Sequence, residues 1–185
     1  MQYQIGVPPE NIILFGRSIG SGPATHLASR RDVGMLILMS PCTSIKDVAH
    51  KVAGKFGSLI VAERFQNIEE IKKANCPIFF IHGKKDTLVP YTHTVDLSLN
   101  VAGFCGMSLP AEMTHDSFVM EEHLTIPILR FFFKCRYRIK LGQQCYEFPK
   151  HLYIQPESTK WKKNNRTLIA KILYKSKSRK SNKDA

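Results

Sequence analysis

Gly16-Arg17-Ser18-Ile19-Gly20 is a G-x-S-x-G pentapeptide, and its setting gives it chemical meaning. It directly follows the apolar run Ile12-Ile13-Leu14-Phe15 and opens a stretch rich in small residues, 18–30. A serine on a sharp strand-to-helix turn has its Oγ lifted clear of the backbone, and glycine on both sides lets strand and helix approach closely. The start of a helix also favours negative charge developing beside it. These are the requirements of a serine nucleophile in acyl transfer, which needs a base and a carboxylate to orient that base.

The order nucleophile, acid, base, each on a loop after its own strand, selects two partners. Asp86 lies in His82-Gly83-Lys84-Lys85-Asp86, just past the apolar run Pro77-Ile78-Phe79-Phe80-Ile81. His115 lies in Glu112-Met113-Thr114-His115-Asp116, just past a weaker run near Gly106–Leu109. Ser18, Asp86 and His115 are therefore expected at the same edge of the sheet, where ligands bind in open α/β folds. Other residues compete less well. His26, His50 and His93 fall on predicted helices or helix entries, His123 falls mid-helix, and His82 ends a strand and reads as structural. Asp96 is helical. Asp116 remains an alternative acid, although a neighbour of His115 in sequence rarely faces it productively.

The elements that must position these residues follow from periodicity. The runs 12–15, 35–39 and 77–81, apolar on both faces, predict strands of a parallel sheet covered on both sides. Helices are predicted between them over 18–30, over 44–56 with a Ser44–Asp47 capping box, over Asn67–Ala74, and over 117–133 with a kink at Pro127. This alternation of strand and helix predicts an α/β doubly wound sheet.

Charge divides the chain. Residues 1–129 carry a net charge of −1 and residues 130–185 a net +13. A globular part, 1–133, is thus expected to precede a basic, disordered tail, 134–185, with an amphipathic helix near 166–175. The tail could meet an anionic membrane surface; nucleic acid is disfavoured because Tyr153, Trp161 and Tyr174 are its sparse aromatic residues. Cys42, Cys76, Cys105, Cys135 and Cys145 form no C-x-x-C pair, which predicts reduced thiols in a cytoplasmic protein and argues against zinc. No signal peptide or membrane-spanning run is read, and no metal or cofactor is expected.

The segment Ile12–Arg30 resembles the elbow of the α/β hydrolase domain-containing protein 17 family. The resemblance extends to Ser40-Pro41, Thr43-Ser44-Ile45, the Arg64–Asn67 neighbourhood, Ala74–Asp86 and Met113-Thr114-His115, covering roughly residues 10–133. It implies the C-terminal part of the α/β-hydrolase fold, a mostly parallel sheet flanked by helices. It implies a membrane-associated serine hydrolase that removes palmitate from protein cysteines. Ser18 would attack, His115 would be the base, Asp86 would orient it, and the Ile19 N–H would be one oxyanion donor. The family's N-terminal cysteine cluster is absent from this sequence. In that fold four strands precede the elbow, whereas 17 residues precede Ser18 here. The loop carrying the second oxyanion donor is then expected to be missing, and turnover by this chain alone to be poor. The expected substrates are acylated proteins or lipid esters. The alternatives are a lipid or small-ester hydrolase, and a catalytically incomplete remnant that binds membranes or partners.

Overall fold

A run such as Met35-Leu36-Ile37-Leu38-Met39 has no polar face to offer water, so it must be sandwiched between two apolar layers. The computed structural model describes residues 6–47 and 65–137 and places this run at the heart of a parallel sheet. The chain divides into two compact units. Every element below belongs to the unit containing Val7–Gln144, and of the other unit only Gly6 is described.

Four strands make the sheet: β1 (Ile13–Arg17), β2 (Met35–Met39), β3 (Ile78–Ile81) and β4 (Cys105–Ser108), in the spatial order β1-β2-β3-β4. All neighbours are parallel. Ile13 pairs with Met35, Leu36 with Ile78 and Ile78 with Cys105, so the C-terminal ends Arg17, Met39, Ile81 and Ser108 lie in line. Alternate residues of β2 feed two cores. Leu36 and Leu38 pack with Ala28, Ile71, Ile78, Phe80 and Leu97 on one face. Met35, Ile37 and Met39 pack with Phe79, Ile81, Met113, Leu124 and Phe131 on the other. Both faces of β2 and β3 are therefore covered, as the doubly wound pattern requires, whereas β1, expected from its apolar run to be covered on both sides, leaves Ile13 and Phe15 exposed.

The helices are α1 (Ser21–Ala28), α2 (Asn67–Glu70), α3 (Thr92–Leu99) and α4 (Ile126–Lys134). The stretch read as one helix from residue 18 starts as a 3-10 turn, Ser18–Gly20, before α1. Likewise α2 runs on into a 3-10 turn, Ile71–Lys73. Pro127, where the sequence predicts a kink, lies in the first turn of α4, directly after a π-helical stretch, Met120–Thr125. The capping box forms by half: Asp47 N–H donates to Ser44 Oγ at 3.0 Å, while the Asp47 carboxylate accepts from Thr43 Oγ1 instead of reaching back. Residues 48–56 of that predicted helix lie outside the described residues, as does the tail beyond Tyr137 with its 166–175 segment.

Two contacts hold the second layer. Phe131 of α4 stacks on Phe79 and Phe104, with ring centroids 4.7 and 5.5 Å away. Gly106 in β4 makes this possible, since a Cβ there would lie 2.8 Å from the Phe131 ring. On the opposite layer Arg30, after α1, grips Glu70 of α2 at 2.5 and 3.2 Å, and this holds the Glu70 carboxyl down at about 2.

Burial sorts the apolar side chains into those that stabilise and those that do not. Phe80 is fully buried, whereas Phe15 is 50% exposed. Phe80→Ala is expected to cost about 3–5 kcal/mol and Phe15→Ala no more than about 1.5 kcal/mol. Urea unfolding of both variants tests this ranking, and an equal loss from each would contradict the core described here.

Candidate active site

The turn after β1 forces Ser18 into the left-handed region, at φ 52°. For a residue with a Cβ this costs roughly 1–2 kcal/mol, so the surroundings must impose it. Gly16 shows how. A Cβ there would sit 2.6 Å from Gly20 O and 2.8 Å from Ala24 Cβ, so α1 lies directly against the strand. Gly20 differs from the expectation: a Cβ on it would meet nothing within 4 Å, and its φ is −66°. Only the first glycine of the pentapeptide is required by close packing.

The acid comes from the loop after β3. Asp86 has no exposed side-chain surface. Its Oδ1 accepts N–H groups from Leu88 at 3.0 Å and Val89 at 2.8 Å, an arrangement that leaves Oδ2 free to face a partner. His82, fully buried at the end of β3, holds this loop closed. Its Nε2 is 2.8 Å from Val89 O and its Nδ1 2.7 Å from Thr94 Oγ1. A carbonyl only accepts, so Nε2 carries the proton and the threonine hydroxyl donates to Nδ1. Burial pushes the His82 pKa down, against the opposing influence of the Val89 bond and of Asp86. His82 is thus a neutral clamp on the acid loop.

The base comes from the loop after β4, and the two loops are zipped together. Lys84 N–H donates to Pro110 O at 3.0 Å and Lys85 N–H to Met113 O at 3.1 Å. Gly83 allows this approach, because a Cβ there would lie 2.0 Å from Met113 O. Lys85 also pairs with Glu112. His115 then spans the gap: Nδ1 is 2.7 Å from Asp86 Oδ2 and Nε2 is 3.0 Å from Ser18 Oγ. With Nδ1–H donating to the carboxylate, Nε2 is left as the acceptor for the serine hydroxyl. The three residues are brought together at the C-terminal edge of the sheet.

The competing residues lie elsewhere. The Asp116 carboxylate turns to Arg17 at 2.9 Å. His26 is 3.6 Å from Glu70, and His123 Nδ1 accepts the Val119 N–H at 3.0 Å. His93 Nδ1 is 2.8 Å from Thr43 Oγ1. Asp96 is on α3, and His50 lies outside the described residues. Ile19 follows the nucleophile and is 69% exposed. Reasoning from sequence gave no role to Arg17, whose Nη2 donates to His115 O at 2.6 Å, nor to Met113, whose carbonyl joins the two loops. A charged residue at the end of an otherwise apolar strand was the available signal for Arg17. Among the described residues no helix is long and apolar enough to cross a membrane.

The depressed His82 pKa fixes a sign. The unfolded chain takes up a proton near pH 6.5 while the folded chain resists it, so stability is full above about pH 6.5 and falls as pH drops below it. Denaturant unfolding at pH 8 and pH 5.5 should show this loss. His82→Gln, though less stable at pH 8, should lose less on acidification. An undiminished loss in the variant would refute the assignment to His82.

No protein-family model matches the chain. It is similar to the α/β hydrolase domain-containing protein aho-3 of Caenorhabditis elegans, 36% identical over 97 residues, which are 52% of this chain and 28% of that protein. Human α/β hydrolase domain-containing protein 17B is 35% identical over 97 residues, 52% of this chain and 33% of that protein. Protein 17C of Xenopus tropicalis is 38% identical over 93 residues, 50% of this chain and 29% of that protein. The chain thus spans about a third of the length of these relatives. Among solved structures, Est1E of Butyrivibrio proteoclasticus superposes with a TM-score of 0.57 at 20% identity, covering 69% of this chain and 62% of that one. An α/β hydrolase enzyme from a sediment metagenome of the Mar Chica lagoon, Morocco, gives a TM-score of 0.51 at 21% identity over 69% and 63% of the two chains. The described sheet and its helices therefore have the α/β-hydrolase fold, and over about half its length the chain is similar to the α/β hydrolase domain-containing 17 proteins.

Proposed function

We propose that the chain is a serine hydrolase of acyl esters or thioesters, with depalmitoylation of proteins as the specific reaction. The observation that carries the chemistry is the unbroken relay from Ser18 Oγ to His115 to the buried Asp86 carboxylate, at 3.0 and 2.7 Å. The choice of thioester follows from the family resemblance read in the sequence, and the similarity to the 17B and 17C proteins supports a hydrolase.

In this reading Ser18 Oγ attacks the acyl carbonyl as its proton passes to His115 Nε2. Negative charge on the carbonyl oxygen is stabilised by the Ile19 N–H at the start of the 3-10 turn. The tetrahedral intermediate collapses, the thiol or alcohol leaves with the proton held by His115, and Ser18 remains acylated. Water, losing a proton to Nε2, then attacks the acyl-enzyme. The acid departs and Ser18 recovers its hydrogen. Asp86 keeps Nδ1 protonated and steadies the imidazolium throughout without taking the proton itself.

A fluorophosphonate probe should label the chain at Ser18, and Ser18→Ala should abolish labelling; persistent labelling of the alanine variant would dismiss this nucleophile. Asp86→Asn is expected to keep the fold and cut turnover of a palmitoyl thioester by on the order of 10³–10⁴. Asp116→Asn should leave it within a few-fold. The reverse ranking would move the acid role to Asp116.

A further inference from the structure

The sheet by itself does not bring the base to the nucleophile. Strands lie about 4.8 Å apart, so β1 and β4, with two strands between them, are separated by roughly 14 Å. The loop after β4 must cross β3 and β2 to reach Ser18. Its first half is fixed to the acid loop through Pro110 and Met113. The turn that follows is locally closed, with Thr114 N–H donating to Ser117 O at 3.1 Å and Ser117 N–H to Thr114 Oγ1 at 3.0 Å. Neither contact ties His115 to β1.

Arg17 does. It is the last residue of β1 and immediately precedes the nucleophile. Its Nη2 donates to the His115 backbone carbonyl at 2.6 Å and to Asp116 Oδ1 at 2.9 Å, using both hydrogens of that nitrogen. The guanidinium carbon lies 5.7 Å from the centre of the Phe118 ring, which packs against the core layer beneath the loop. The side chain therefore grips three of four consecutive residues around the base. The hold also leaves Arg17 Nε buried without a partner, an arrangement a freely solvated surface arginine would not adopt. We infer that Arg17 is a positioning residue for catalysis: through the His115 carbonyl it fastens the base-bearing loop to the strand that carries the nucleophile. The inference rests on the serine-hydrolase reading above.

The two contacts differ in value. The Asp116 carboxylate is 85% exposed, and an ion pair so open to water contributes little. The bond to the carbonyl is part-buried and charge-assisted, so the positioning passes through it. Losing a hydrogen bond of that kind corresponds to a fall of on the order of 10- to 100-fold in the step it supports.

The test uses the full chain and five variants: Arg17→Gln, Arg17→Lys, Asp116→Asn and, as references, Ser18→Ala and His115→Gln. Fluorophosphonate labelling rate, kcat and KM for p-nitrophenyl butyrate, and the thermal midpoint are measured for each. A downfield imidazole Nδ1–H proton resonance, assigned to His115 by its loss in His115→Gln, reports the ring's place independently of turnover. Arg17→Gln should slow labelling and lower kcat 10- to 100-fold with KM nearly unchanged, and should broaden the proton resonance. Arg17→Lys should recover part of the rate, because an ammonium can still reach the carbonyl. Asp116→Asn should stay within about threefold of the parent. An Arg17→Gln variant that labels at the parental rate and keeps a sharp resonance overturns the inference. So does a thermal midpoint lowered as much by Arg17→Lys as by Arg17→Gln with equal rates in both, which would make the residue merely structural. Absent or Ser18-independent labelling of the parent overturns the hydrolase reading instead, and the resonance still decides whether Arg17 holds the ring.

Discussion

A carboxylate with no exposed side-chain surface, such as Asp86, is tolerated in a protein interior only if its lone pairs are satisfied and a positive or polarised partner faces it. Asp86 meets this demand on both oxygens. Leu88 and Val89 N–H groups take one, and His115 Nδ1 takes the other. Each of those donors must be held in place in turn. Val89 is held by its carbonyl bond to the buried His82, and His82 by Thr94 of α3. His115 is held by a loop stitched to the acid loop at Pro110 and Met113. Removing the Asp86 side chain would thus leave the Leu88 and Val89 N–H groups without an acceptor as well as a base without an orienter. Much of the structure past β3 exists in support of this one buried group.

At the other end of the relay the constraint is steric. Ser18 is held at φ 52° with α1 pressed against Gly16, so the strained turn persists because α1 is fixed by its own packing. Ala28 lies in the core with Leu36 and Leu38, and Ser29 and Arg30 tie the helix end to Glu70. The energy stored in the turn is small beside that packing. The turn brings Oγ within 3.0 Å of His115 Nε2.

Strand positions and the grouping of Ser18, Asp86 and His115 were legible in the sequence, for a physical reason. Doubly buried strands must be apolar throughout, so 35–39 and 77–81 are conspicuous, the apolar run 12–15 marks a strand although Ile13 and Phe15 are exposed, and in a parallel sheet the residues just past each strand necessarily share an edge. The finer features depend on contacts distant in sequence. The single helix expected over 117–133 is in the structure a π-helical stretch running into α4 beside Pro127, a change of helix type that no spacing of letters announces. Gly20 looks as indispensable as Gly16 within a G-x-S-x-G motif, yet only Gly16 faces α1 closely. Arg17 and His115 are 98 residues apart in sequence, and no local pattern reports their bond.

The exposure of β1 gives these long-range contacts added weight. Every residue of β2 and β3 is buried, but Ile13 and Phe15 of β1 are 37% and 50% exposed, and the strand pairs only with β2 among the described strands. An inner strand is steadied by hydrogen bonds on both sides, whereas β1, among the described strands, receives them from β2 alone. The nucleophile therefore sits at the end of the less constrained of the two strands flanking β2. Its position is fixed from below by α1 against Gly16 and from across the sheet by Arg17 on the base loop. The grip works in both directions: the contact that brings His115 to Ser18 also braces the end of β1. Geometry at the reacting atoms must be held to fractions of an ångström for a serine relay to function. In a sheet arranged this way, that accuracy depends on the side chains crossing it as much as on the strands themselves.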